Sequence, residues 1–366
     1  MKKVLIVSLR AGNGHVKAAE AIEKAIGELN RKDLVVKNID LLDYSTILSK
    51  KFYDNLYLDI VSIAPKFYRW LYYNIDSSTT SFRMIFDRLN VWRFKELVEE
   101  FEPDYVVCTH FVPANLLTYW RGRYSWKTKV FLTVTDYDSH TLWVDKGVDQ
   151  YFVANEDVKN YLISEGIRRD IIRKTGIPID PKFSKKYDRG EISKKNYLEN
   201  EFTITIFAGG FKATKISRIF NKIIKEFPNI QIIIVCGRSE NLYDALNLVI
   251  GKNKNKKIKI LKFINNIEEI MSVSDLIITK AGGLTVSECL AMGVPMIISN
   301  PIPGQEEENS DFLLKSNAAI RADKADEIVA EIKKVLNNPD ILIKLKSGIR
   351  KIAKKDAAEK IVEQIV

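Results

Sequence analysis

Histidine and cysteine are scarce in this 366-residue chain, which contains three of each. Cys108, Cys236 and Cys289 lie far apart in apolar runs. They read as buried free thiols in a reducing compartment, and they frame neither a disulfide scaffold nor a thiolate metal cage. No apolar run reaches about 18 residues, which excludes a bilayer-spanning helix. The start, Met1 to Ser8, has no cleavage-type tail and reads as a first strand. Zinc-finger spacing, an RNA-recognition signature and a basic-region heptad are all lacking, and the basic residues are spread out. The formal charge of +10 therefore points away from nucleic acid. It suits an anionic membrane surface, where each nearby Lys or Arg contributes roughly 1 kcal/mol.

What is present is enough apolar material, 46%, for two cores in a chain long enough for two domains. Short apolar strands alternate with helix-length segments, the pattern of parallel doubly wound sheets. The first half offers Lys3–Ser8, Leu34–Ile39, Asp104–Thr109, Lys129–Thr135 and Gln150–Ala154 as strands. The second offers Thr203–Ala208, Gln231–Cys236, Ile258–Phe263, Asp275–Thr279 and Pro295–Ser299. Prolines within Gly176–Phe183, then a polar stretch to about Glu201, mark the linker. The segment Asp43–Asn90 carries no clear strand. It interleaves aromatics, among them Phe67 and Trp70, with Lys50, Lys51, Lys66, Arg69 and Arg83. Such a surface suits interfacial membrane contact, although helix–helix core is the alternative.

The most informative stretch is Lys280-Ala-Gly-Gly-Leu-Thr-Val-Ser-Glu-Cys-Leu-Ala-Met-Gly-Val-Pro295. It follows one apolar strand and precedes another. Gly282 and Gly283 open its helix, so a phosphate can approach bare N–H groups at the positive end of the helix dipole. Glu288, further along, can accept hydrogen bonds from a ribose diol. The run Pro301–Asn309 then supplies amide and carboxylate groups at the next strand end. Together they suit a nucleotide diphosphate carrying a hydroxyl-rich group such as a sugar.

The run Lys280–Asn309 resembles the donor-binding signature of glycosyltransferase family 28, in its diacylglycerol rather than its peptidoglycan branch. Ser8-Leu-Arg-Ala-Gly-Asn-Gly-His-Val-Lys-Ala-Ala19 and Thr135-Asp-Tyr-Asp-Ser-His-Thr-Leu-Trp143 resemble two further motifs of that branch, in the expected order. The resemblance implies an α/β fold of GT-B architecture, two Rossmann-like doubly wound domains facing across a cleft. Residues 1–180 would form the acceptor and membrane-facing domain and 181–345 the UDP-sugar domain, with a helix over 346–366 crossing back to the first. It also implies an inverting hexosyltransferase using UDP-glucose or UDP-galactose and diacylglycerol. Such an enzyme would sit in the cytoplasm, peripheral to the inner face of the membrane. Lipid I as acceptor, a UDP-N-acetylglucosamine epimerase on the same plan and a non-enzymatic sensor are the rivals.

The transfer needs a base for the acceptor hydroxyl and stabilisation of the leaving diphosphate. His15, at a helix expected to start near Val16, is the first candidate base, because a helix N-terminus keeps an imidazole neutral. Asp136 is the second, or the partner that orients His15; the choice stays open here. Gly12, Gly14, His110, His140 and Trp143 fall on the acceptor side. By resemblance the donor would meet Gly209, Gly210, Gly237, Arg238, Lys280, Gly282, Gly283 and Thr285, with Phe263 and Ile264 on the uracil edge and Glu288 on the ribose. Gln305 and Glu306 would take the sugar hydroxyls and Asn309 would position their loop. Asp136-Tyr-Asp138 spells a D-x-D, a metal motif in another glycosyltransferase class. It lies in the acceptor half here, so no catalytic metal and no cofactor beyond the UDP-sugar co-substrate are expected.

Overall fold

The computed structural model describes residues 1–10, 12–45, 91–253 and 257–365. The membrane-contact expectation for Phe67 and Trp70 lies outside these residues. The described part of the first half holds β1 (Lys2–Ser8), α1 (Asn13–Glu28), β2 (Leu34–Asp40), α2 (Trp92–Phe101), β3 (Tyr105–Cys108), α3 (Phe111–Tyr124), β4 (Lys129–Thr133), β5 (Gln150–Val153), α4 (Glu156–Ser164) and β6 (Ile172–Lys174). After α5 (Arg189–Lys195) come β7 (Thr203–Phe207), α6 (Ala213–Glu226), β8 (Gln231–Val235), α7 (Glu240–Asn253), β9 (Ile258–Leu261), α8 (Ile267–Val273), β10 (Leu276–Thr279), α9 (Gly283–Met292), β11 (Met296–Ile298), α10 (Gln305–Lys315), β12 (Ala319–Arg321), α11 (Ala325–Asn337), α12 (Pro339–Ile352) and α13 (Ala357–Val362).

The strands form two six-stranded sheets, in the orders β2-β1-β3-β4-β5-β6 and β12-β11-β10-β7-β8-β9. Every pairing is parallel. Central strands such as β8, Gln231-Ile-Ile-Ile-Val235, are buried along their whole length, because helices cover both faces of a parallel sheet. In each sheet the order reverses beside the first strand, which is where ligands collect beyond the C-terminal strand ends.

Two strands escape the sequence reading, β6 and β12. Each has three residues and lies at a sheet edge, too short to carry a periodic signal. The single long helix expected near the C-terminus is two helices, α12 and α13, separated by Ala353–Asp356. The break lies where the linker passes: Gly176 has φ +99°, and a methyl group on it would lie 2.5 Å from Lys354 Cβ. Beyond the break Ala358, Ile361, Val362 and Ile365 join one apolar cluster with Val4, Ile6, Ile22 and Phe131 of the first domain. Burying such an aliphatic side chain contributes roughly 1.5–3 kcal/mol.

Candidate functional site

Helix α1 begins at Asn13, three residues before the expected start, with Gly12 as its N-cap at φ 95°. His15 is thus inside the first turn. Its Nδ1 lies 2.9 Å from the Thr109 carbonyl oxygen and 2.8 Å from Thr135 Oγ1. A carbonyl oxygen only accepts, so Nδ1 carries the hydrogen and Nε2 keeps its lone pair. Thr109 closes the arrangement by donating its hydroxyl to the His15 carbonyl at 2.8 Å. Burial lowers the imidazole pKa to about 4 against the pull of the Thr109 carbonyl. Desolvation thus favours the neutral imidazole, the form in which it can accept a proton.

All three histidines meet here. His15 and His110 are 4.7 Å apart, edge to face, and Trp143 lies 6.0 to 6.4 Å from each of the three rings. His110 accepts from the Val112 N–H at 3.1 Å and caps α3. Burial holds it well below the ordinary imidazole range, with His15 and His140 adding to the effect. Burial also lowers His140, to about 4. Trp143 is buried, so it backs the histidines from inside.

The reading of Asp136 as the partner of His15 is corrected by its hydrogen bonds. Its carboxylate accepts from Gln305 Nε2 at 2.5 Å and from Asn309 Nδ2 at 3.4 Å. Burial raises its pKa to about 6, the Gln305 and Asn309 amides pulling it back. Thr109 and Thr135 do the orienting instead. Gln305, expected on a sugar hydroxyl, spends an amide hydrogen on Asp136. Glu306 likewise accepts from the Ile302 N–H at 2.7 Å. Asn309 is fully buried; it also donates to the Ala281 carbonyl at 3.0 Å and accepts from the Tyr137 N–H at 2.8 Å. It ties this loop to the other domain.

On the donor side, α9 starts after Gly282, with no side-chain cap on its first N–H groups. Its first turn faces the first turn of α1: a methyl group on Gly14 would lie 4.0 Å from Leu284 Cβ. One on Gly283 would lie 2.4 Å from the Thr135 carbonyl oxygen, a separation that only glycine allows. Lys280 stands 5.5 Å from the Phe211 ring centroid, and a methyl group on Gly210 would be 3.7 Å from its Nζ. At the next strand ends the Arg238 guanidinium lies 5.6 Å from the ring of the exposed Phe263. Gly209, Gly237, Ile264 and Thr285 lie on these same strand-end loops and on the first turn of α9. Glu288 lies on α9, where burial raises its pKa to about 8; Lys182 opposes that rise, and Asp180 and Glu268 add to it. Among the described residues no group of three or more His, Cys, Asp or Glu side chains converges as a metal site.

Residues 15–179 match the family model for monogalactosyldiacylglycerol synthase, and residues 203–364 match the C-terminal domain model of glycosyltransferase family 28. The chain is 32% identical over 368 residues to the processive diacylglycerol beta-glucosyltransferase of Bacillus subtilis (strain 168), covering 100% of this chain and 95% of that protein.

The chain belongs to glycosyltransferase family 28.

The Bacillus licheniformis protein of the same description is 30% identical, covering 100% of this chain and 94% of its own. Among solved structures, the Staphylococcus aureus MnaA–UDP complex matches with TM-score 0.66 at 13% identity, covering 100% of this chain and 96% of that one. Acinetobacter baumannii MurG also matches with TM-score 0.66, at 16% identity, covering 100% and 99%. These likenesses show the GT-B fold of this family member.

The Glu288 carboxyl offers a test that needs no ligand. An ordinary glutamate titrates near 4.5, and this one is raised to about 8. Between those values the folded chain holds a proton that the unfolded chain has released. The stability this confers is full below about 4.5 and is lost as pH rises through about 8. Thermal melts of the wild type should fall from about pH 6 to about pH 9 by more than those of Glu288→Gln. Parallel curves would contradict the raised pKa of Glu288.

Proposed function

We propose that this chain transfers a hexose from a UDP-sugar to the free hydroxyl of diacylglycerol, with inversion, to give a β-glycosyl lipid. One observation carries the reading: a neutral His15 whose Nε2 keeps its lone pair, on the first turn of α1, faces the uncapped first turn of α9. The acceptor hydroxyl gives its proton to His15 Nε2 as its oxygen attacks the anomeric carbon. The bond to the diphosphate breaks, and UDP leaves against the α9 N–H groups and the Lys280 ammonium. An imidazole with a pKa of about 4 is a weak base in the free protein. The negative charge gathering on the diphosphate across the cleft stabilises the imidazolium at the moment it forms.

Glu288 takes the ribose hydroxyls, and Phe263 with Arg238 receives the uracil. The co-substrate is the UDP-sugar, and no further cofactor is assigned. The name of the Bacillus relatives, processive diacylglycerol beta-glucosyltransferase, favours glucose over galactose. The protein acts in the cytoplasm, peripheral to the inner face of the membrane. No described helix is long and apolar enough to cross a bilayer, and the acceptor is a lipid.

Incubation with UDP-glucose or UDP-galactose, with and without diacylglycerol in anionic vesicles, tests the reading. A glycolipid formed only when both substrates are present, and faster with UDP-glucose, is the expected result. Free sugar released without lipid would identify an epimerase or hydrolase instead. Vesicle binding should rise with anionic lipid and weaken with salt, since exposed charges are screened within about 8–10 Å at physiological ionic strength. Phe67→Ser with Trp70→Ser should reduce vesicle flotation without changing UDP affinity; a folded double variant that floats like the wild type would remove that segment from the contact.

A further inference from the structure

We infer that Tyr137 is a positioning residue: a plug from the acceptor domain that fixes the donor-binding turn at reacting distance from His15. The inference rests on the reading of His15 and α9 given above and deepens it. Tyr137 follows β4 in the acceptor domain, yet most of what holds it belongs to the donor domain. Its N–H donates to Asn309 on α10 at 2.8 Å. Its hydroxyl lies 2.9 Å from Ser287 Oγ on α9. Its ring stacks on Phe312 of α10, with centroids 4.7 Å apart and planes 19° apart. On its own side the carbonyl accepts from Asn155 Nδ2 at 2.7 Å. Only 7% of its surface is exposed.

The hydroxyl contact has a direction. Ser287 Oγ is 2.7 Å from the Gly283 carbonyl oxygen, which can only accept. The serine hydrogen therefore points to Gly283, and Tyr137 donates to Ser287. A chain of two hydrogen bonds runs from the acceptor domain to the first residue of α9, whose N–H groups are to meet the diphosphate. Burial keeps the phenol protonated by raising its pKa further above the ordinary value, so the donor in this chain does not fail at working pH.

Three consecutive residues thus do three jobs at one strand end. Thr135 holds His15, Asp136 holds Gln305, and Tyr137 holds α9 and α10. The base is tied through Thr135 to the same short backbone segment that Tyr137 anchors in the donor domain. An error in the seating of that segment moves the base relative to the sugar without altering the groups that bind UDP. Misplacement by about 1 Å can cost roughly 10²-fold in rate.

Tyr137→Leu removes the stack and the hydroxyl, whereas Tyr137→Phe keeps the stack and the backbone bonds. In the full chain we expect Tyr137→Leu to lower kcat for transfer from UDP-glucose to diacylglycerol by roughly 10–10²-fold. The Kd for UDP by calorimetry should stay within about threefold, since UDP sits on the donor domain alone. Tyr137→Phe, which loses only the hydroxyl chain to Gly283, should lie between Tyr137→Leu and the wild type in kcat. A folded Tyr137→Leu with wild-type kcat overturns the inference, and so does a loss of UDP affinity as large as the loss of kcat. If Tyr137→Leu does not fold, Phe312→Leu removes the stack from the donor side and should show the same split; an unchanged kcat there also overturns it. A wild-type protein that makes no glycolipid at all would refute the proposed function instead.

Discussion

Replacing His15 with alanine is expected to lower kcat by about 10²–10⁴-fold, the range for loss of a general base. Affinity for UDP should stay within a few fold, because His15 lies in the other domain. The geometry sets the size of the effect. Nδ1 is engaged by Thr109 and Thr135, so the lone pair left for chemistry is on Nε2. His110 spends its own lone pair on the Val112 N–H, and Asp136 is engaged by Gln305 and Asn309. Because burial depresses His15 to about 4, kcat/KM for the wild type should show no acid limb near pH 6.5. A mild His15→Ala alongside a crippling Asp136→Asn would give the base role to Asp136.

Gly283→Ala should be nearly as damaging, for a steric reason. The added methyl would lie 2.4 Å from the Thr135 carbonyl oxygen and 3.1 Å from Asp136 Oδ1. The first neighbour is backbone and cannot swing aside. Either the first turn of α9 or the segment holding His15 must move, separating the base from the donor. We expect kcat to drop by about 10²-fold, and stability to fall by the roughly 1–3 kcal/mol typical of overpacking. UDP affinity should fall by much less than kcat. Gly122→Ala is the control, since nothing lies within 4 Å of its added methyl; it should melt at or slightly above the wild type. Wild-type kcat in folded Gly283→Ala would show that the two turns are not in register during the reaction.

Much of the fold is legible because parallel sheets write long apolar strands between glycine-rich turns. β1, β8 and β10 stand out for that reason. β6 and β12 do not, since three residues at an edge leave no pattern. The split of the C-terminal helix at Ala353–Asp356 lies where the linker packs at Gly176, and the second helix restarts behind Asp356 with Glu359 in its first turn, a start signal the reading of one long helix passed over. In the site, the motif residues come together around the cleft because motifs at strand ends share one edge of each sheet. What local sequence does not carry is who bonds to whom. Thr109 and Thr135 stand 94 and 120 positions from His15. Tyr137 looks like the spacer of a D-x-D until its contacts with Ser287, Asn309 and Phe312 are seen. Asp136 and Gln305 each look like a group awaiting substrate, and the fold spends them on each other.

The configuration of the glycolipid product tests the central claim most directly. The protein, UDP-glucose with its α-linked glucose, and diacylglycerol in anionic vesicles would be incubated, and the lipid product examined by proton NMR at the anomeric position. Direct attack by a hydroxyl deprotonated by His15 inverts that centre, so the account predicts a β-glucosyl diacylglycerol that disappears in His15→Ala. An α-linked glycolipid, or a β-linked one formed equally well without His15, would contradict it.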